Sequence, residues 1–89
     1  MSDWTWEYMP DAETILGGLS PEHRAEVASV AQRITDAVTV RRIGTPFDIS
    51  EGVSQVKQHV ESQLMLWYQE DYRDDVVLIL RAQHFGAAG

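Results

Sequence analysis

The sequence predicts an α+β fold: an N-terminal strand, two helices, then a three-stranded, mainly antiparallel sheet with the helices packed on one face. Three observations carry this. Aromatic residues alternate over 4–8. A stripe of apolar residues at helical spacing runs from Val27 to Val38 behind a strong helix start. Two apolar runs, 64–69 and 75–84, flank a short charged turn near the end of the chain. Strands grouped apart from helices, rather than alternating with them, are the α+β pattern.

In the first strand Trp4, Trp6 and Tyr8 point one way and Thr5 and Glu7 the other, the period of two that a strand imposes. Pro10 ends it. Asp11 is placed to cap a short helix through Thr14, Ile15 and Leu16, which Gly17-Gly18 stops. Ser20-Pro21-Glu22 opens the second helix. Serine caps, proline fits the first helical position, and the glutamate meets the positive end of the helix dipole. Val27, Val30, Ala31, Ile34 and Val38 then make one stripe over four or five turns. Glu26, Ser29, Gln32, Arg33 and Asp36 fall on the other face, which is expected to be wet.

Residues 39–51 allow two readings: a strand beginning at Val38 and Val40, or a fraying helix end. Gly44, Pro46 and Gly52 mark an irregular connection. Weak alternation over 53–61 sets Val56 and Val60 against Lys57 and His59, and reads as a polar strand. The runs 64–69 and 75–84 are short, apolar and rich in Val, Ile, Trp and Tyr, as buried strands are. The acidic residues of 70–75 read as a solvated hairpin turn. That segment lacks the glycine and spacing of a calcium loop.

The chain has 89 residues, enough for one domain over 1–89 with 86–89 as a flexible tail. A chain of this size buries about 60–65% of its unfolded surface, which leaves room for one modest core. It has no cysteine, which excludes disulfides and thiolate metal sites. It shows no leader and no apolar run near the roughly 20 residues of a membrane span, so a soluble cytoplasmic protein is expected. The net charge of −7 works against avid, non-specific binding to nucleic acid phosphate. Phosphate loops, zinc-protease motifs, nucleophile elbows and dinucleotide fingerprints are absent from the sequence.

The closing block is the most specific part: a strand ending in Trp67-Tyr68, an acidic turn, Val76-Val77-Leu78-Ile79-Leu80, then Arg81, Gln83, His84 and Phe85. With the opening strand, Asp11-Ala12-Glu13 and the two-helix segment, it resembles the RelE/ParE superfamily of bacterial toxins over most of the chain. The resemblance implies the toxin component of a type II toxin–antitoxin pair, held inactive by a cognate antitoxin. RelE-like members cleave mRNA at the ribosome without a metal or other cofactor. ParE-like members inhibit DNA gyrase instead. The relatives called YoeB end in a His-Tyr pair used in catalysis, and His84-Phe85 holds the matching place. The sequence departs from the nuclease pattern where an arginine is usual, at Met65, and in having Phe85 without a hydroxyl. It is also acidic where ribosome-directed members tend to be basic.

RNA cleavage without a metal needs a base, a cation beside the phosphate and an acid. His84 is the candidate for moving the proton, and Arg81 for holding phosphate. Strand parity sets the two on opposite faces unless the strand bends between them. Lys57, His59, Arg41 and Arg42 are candidate supporting cations, and Phe85 a candidate for stacking on a base. Each has a structural alternative: a satisfied strand-end histidine at 84, an ion pair at 81, and solvated charge at 41, 42, 57 and 59. His23, at the helix start, is expected to be exposed. Trp4, Trp6, Trp67 and Tyr68 are expected in the core. The competing reading is a binding protein of the same fold that engages a protein partner and cuts nothing. A homodimer is the remaining partner expectation.

Overall fold

The computed structural model describes residues 4–42 and 52–85, with the side chain of Arg42 excepted. The expectations for Arg42 as a cation, for the connection around Gly44 and Pro46, and for the 86–89 tail lie outside the described residues. Within them the chain is α+β: β1 (Thr5–Tyr8), α1 (Ala12–Leu16), α2 (Pro21–Arg42), β2 (Lys57–Glu61), β3 (Leu64–Asp71) and β4 (Val76–His84).

The sheet corrects the expected three strands. All four strands join one open, mixed sheet in the order β1-β4-β3-β2. β2, β3 and β4 pair antiparallel, and β1 lies parallel to β4 with Trp6 beside Val77 and Tyr8 beside Ile79. Between Trp67 and Tyr68 the β3–β4 register slips. Trp67 pairs with Arg81 but Tyr68 with Ile79, so Leu80 is an extra residue on β4. This is a β-bulge.

α1 forms as the sequence predicts, with the Asp11 carboxylate accepting from the Thr14 N–H at 2.7 Å. Gly18 leaves it at φ +92, a conformation that costs a residue with a Cβ. Ser20 caps α2 by accepting from the His23 N–H. α2 continues to Arg42 rather than yielding a strand at Val38. Its stripe of Val27, Val30, Ala31, Ile34 and Val38 packs with Ile15 and Leu16 against Leu64, Leu66, Val77 and Ile79, forming the core. Thr35 is also buried on this face, its hydroxyl donating to the Ala31 carbonyl 2.8 Å away.

β2 is shorter than the predicted 53–61. Val53 makes only an isolated bridge to Asp71 before the strand proper begins. β3 is longer than predicted, running on through Glu70 to Asp71, so the hairpin turn shrinks to 72–75. Trp4, Trp6 and Tyr68 pack against the core as expected, whereas Trp67 points to the opposite face.

Candidate functional site

The register sorts the side chains of the sheet into two faces. Trp6, Leu64, Leu66, Tyr68, Glu70, Val77 and Ile79 face the helices, and with them Lys57, His59, Glu61, Ala82 and His84. Met65, Trp67, Arg81 and Gln83 face away. His84 and Arg81 are therefore divided by the sheet, as parity required.

On the helix side, charged groups form a seam along the join between α2 and the strands. Its most buried member is Glu70, fully shielded from solvent. Arg41, one residue before the end of α2, donates to its Oε1. The Tyr72 hydroxyl donates to the same oxygen at 2.8 Å. Oε2 has Lys57 Nζ at 3.2 Å, a charge beside it rather than an aligned hydrogen bond. Burial pushes the Glu70 carboxyl up, but the hydrogen bonds from Arg41 and Tyr72, with the Lys57 ammonium beside Oε2, outweigh burial and hold it below its ordinary range. The Arg41 guanidinium is correspondingly raised, first by its bond to Glu70. Ser54 fixes the backbone here. Its hydroxyl accepts from the Glu70 N–H at 2.9 Å, and its N–H donates to the Glu70 carbonyl at 2.8 Å.

Further along the seam, Arg33 pairs with Glu61, and His59 Nε2 lies 3.2 Å from the same carboxylate. Arg33 first, then His59, hold the Glu61 carboxyl below its ordinary range. At the far end His84, its side chain only 7% exposed, places Nε2 3.2 Å from Glu26 Oε1. The ring stacks on His23 with centroids 3.7 Å apart and planes 12° from parallel. His23 is thus half-buried against β4 rather than exposed, and Glu26 is less wet than its helix position suggested.

On the face turned away from the helices, the Arg81 guanidinium lies over the Trp67 ring, 4.9 Å from its centroid. This is a cation–π contact. Phe85 follows β4 and is 55% exposed, and its N–H donates to the Gln63 carbonyl at 2.7 Å.

Chemically, the seam neutralises. Arg41 and Lys57 share one buried carboxylate, and His59 and His84 each meet a glutamate. The structure brings Lys57 and Arg41 together, although around Glu70 rather than around a phosphate. It brings neither to Arg81. Sequence reasoning passed over Glu70, Tyr72 and Ser54. The one available signal was the phase of the strand: Glu70 keeps the helix-side parity of Leu64, Leu66 and Tyr68. Among the described residues no group of three His, Cys, Asp or Glu side chains is placed to hold a metal ion. No described helix is long and apolar enough to cross a membrane. No family model matches this chain, and no curated protein or solved structure gives a match.

Proposed function

We propose that this chain is a toxin-type domain of the RelE/ParE kind that acts by engaging a protein target, without cleaving RNA. The observation that carries this reading is the separation of His84 from Arg81. Acid–base cleavage of RNA asks one surface to offer a proton-moving group and a cation within reach of the same phosphate. Here the imidazole is tucked under α2 against Glu26 and His23, while the guanidinium lies over Trp67 on the other side of the sheet. Met65 and Phe85, in the places where the nuclease pattern has an arginine and a hydroxyl, support the same choice. In this reading the chain resides in the cytoplasm with a cognate antitoxin as its partner, and the target is a single protein such as gyrase.

The test is regulated expression in a bacterial host. The expected outcome is arrested growth with intact mRNA, and equal arrest by His84→Ala at matched protein level. Capture on the tagged chain is expected to recover gyrase or one small protein rather than ribosomes. Cleaved mRNA that becomes intact with His84→Ala or Arg81→Ala would establish the competing reading, a metal-independent endoribonuclease acting at the ribosome. Unchanged growth would remove the toxin assignment altogether.

A further inference from the structure

β1 and β2 form the two margins of the sheet, and among the described residues neither outer edge is paired. An unpaired edge presents a row of backbone donors and acceptors to any strand that fits it, and proteins usually guard such edges with proline or outward lysine. β2 contains no proline. Its lysine, Lys57, is drawn onto the helix side by Glu70. Val60 stands 59% exposed on the face away from the helices, and Val56, just before the strand, is 54% exposed.

The strand reads Lys57-Gln58-His59-Val60-Glu61. Laid antiparallel against a second copy of itself and centred on His59, it keeps all five residues paired. Lys57 then lies opposite the partner's Glu61, Gln58 opposite the partner's Val60, and His59 opposite the partner's His59. The two-fold axis repeats each pair. Opposite charges directly across an antiparallel pair are stabilising, and like charges are not. Moving the centre by one residue leaves an end unpaired and loses the Lys–Glu match. β1 offers nothing comparable: centred pairing of Thr5-Trp6-Glu7-Tyr8 sets its one charge, Glu7, against an indole.

We propose that the outer edge of β2 is a self-association site. A second copy of this chain pairs with it antiparallel about His59, joining two four-stranded sheets into one. Such an interface is isologous, so it closes on itself as a dimer instead of growing into a fibre. The inference does not depend on the toxin reading.

Sedimentation of the full chain over a concentration series is expected to show a reversible monomer–dimer equilibrium. The register is tested at Gln58 and Val60, both exposed. Gln58→Glu/Val60→Lys leaves the net charge at −7 and places opposite charges across the edge, so it is expected to tighten the dimer. Gln58→Lys/Val60→Lys moves the net charge from −7 to −5, which relaxes the overall repulsion, yet it sets like charges across the edge and is expected to weaken the dimer. Each change corresponds to a shift on the order of 2- to 30-fold in dissociation constant. Because the chain has no cysteine, His59→Cys gives a clean geometric reading. Oxidation is expected to link two copies through position 59, whereas Glu7→Cys is expected to give no such product. A chain that stays monomeric throughout overturns the proposal. So does a tighter Lys/Lys variant, or cross-linking through position 7 and not 59.

Discussion

Glu70 lets the charged seam be tested quantitatively, because its two ends differ in their access to water. The carboxylate is fully buried, whereas the side chains of Arg41 and Lys57 are 52% and 38% exposed. Replacing Glu70 with Gln keeps the volume and one acceptor for Tyr72, and the two cations can turn outward. The loss is the difference between charged and neutral hydrogen bonds, about 1 kcal/mol for each of two partners, so roughly 2 kcal/mol. Replacing Arg41 and Lys57 together by Met does the opposite. It leaves a buried carboxylate with Tyr72 as its remaining hydrogen-bond donor among those described, and breaking a buried pair in this way costs about 3–5 kcal/mol.

Urea unfolding at pH 7 is therefore expected to rank wild type above Glu70→Gln, and Glu70→Gln above the double variant. The pH dependence follows from the lowered carboxyl. A carboxyl whose folded pKa lies below its ordinary value of 4.5 contributes stability that is present above that value, and it loses that contribution as pH falls through the folded pKa. The gap between wild type and Glu70→Gln should thus be full at pH 7 and shrink below about pH 4.5. The half-buried Glu61 and the exposed Asp11 are also lowered, but they are present in both proteins and cancel in the difference. The reasoning is refuted if Glu70→Gln lies within about 0.5 kcal/mol of wild type at pH 7, the scatter of ordinary surface changes. It is equally refuted if the double variant is the more stable of the two.

The other expectations concern the core, a cap and the two faces. Leu66 is fully buried, so Leu66→Ala should cost about 2–5 kcal/mol and lower Tm by at least about 10 °C in a thermal melt. Ser20→Ala removes the acceptor for the His23 N–H and should cost about 1 kcal/mol by urea titration, a loss that Ser20→Asp largely avoids. His84→Ala empties a site shielded by α2 and should cost about 1–3 kcal/mol, while replacing the exposed Arg81 with Ala on the opposite face should cost less than about 1. Equal losses at 81 and 84 would contradict the facial assignment.

Much of this fold could be read from the chain because its strongest signals are local. The caps at Asp11 and Ser20, the stripe on α2 and the apolar runs of β3 and β4 need only their neighbours to be understood. Glu70 was hidden for the opposite reason. Set among Asp71, Tyr72, Arg73 and Asp74 it looks like turn, and the partners that make its burial tolerable lie elsewhere: Arg41 on a helix and Lys57 on another strand. The contact between His23 and His84 spans most of the chain and has no periodic signature. For Arg81 and His84 the opposition of faces was legible, since any odd separation along a strand gives it. Which of the two would lie beneath the helices was not, because that depends on where the sheet is in phase.

The bulge at Leu80 sets that phase, and so it acts on the end of β4 as a single inserted letter acts on a reading frame. Counting by twos from Val77 and Ile79, an uninterrupted strand would carry Arg81 and Gln83 inward and leave His84 outside. The extra residue exchanges them. Deleting Leu80 would join Ile79 to Arg81 in a regular ladder that keeps Trp67 opposite Arg81 and Leu64 opposite His84, whereas drawing Leu80 into the ladder opposite Trp67 would send the guanidinium toward the helices and the imidazole to the other face. A histidine-modifying reagent would report that flattening of the bulge as a newly reactive His84, and the deletion as no change. In this chain the make-up of each face of the sheet is therefore carried as much by which residue the ladder skips as by the identity of the residues it pairs.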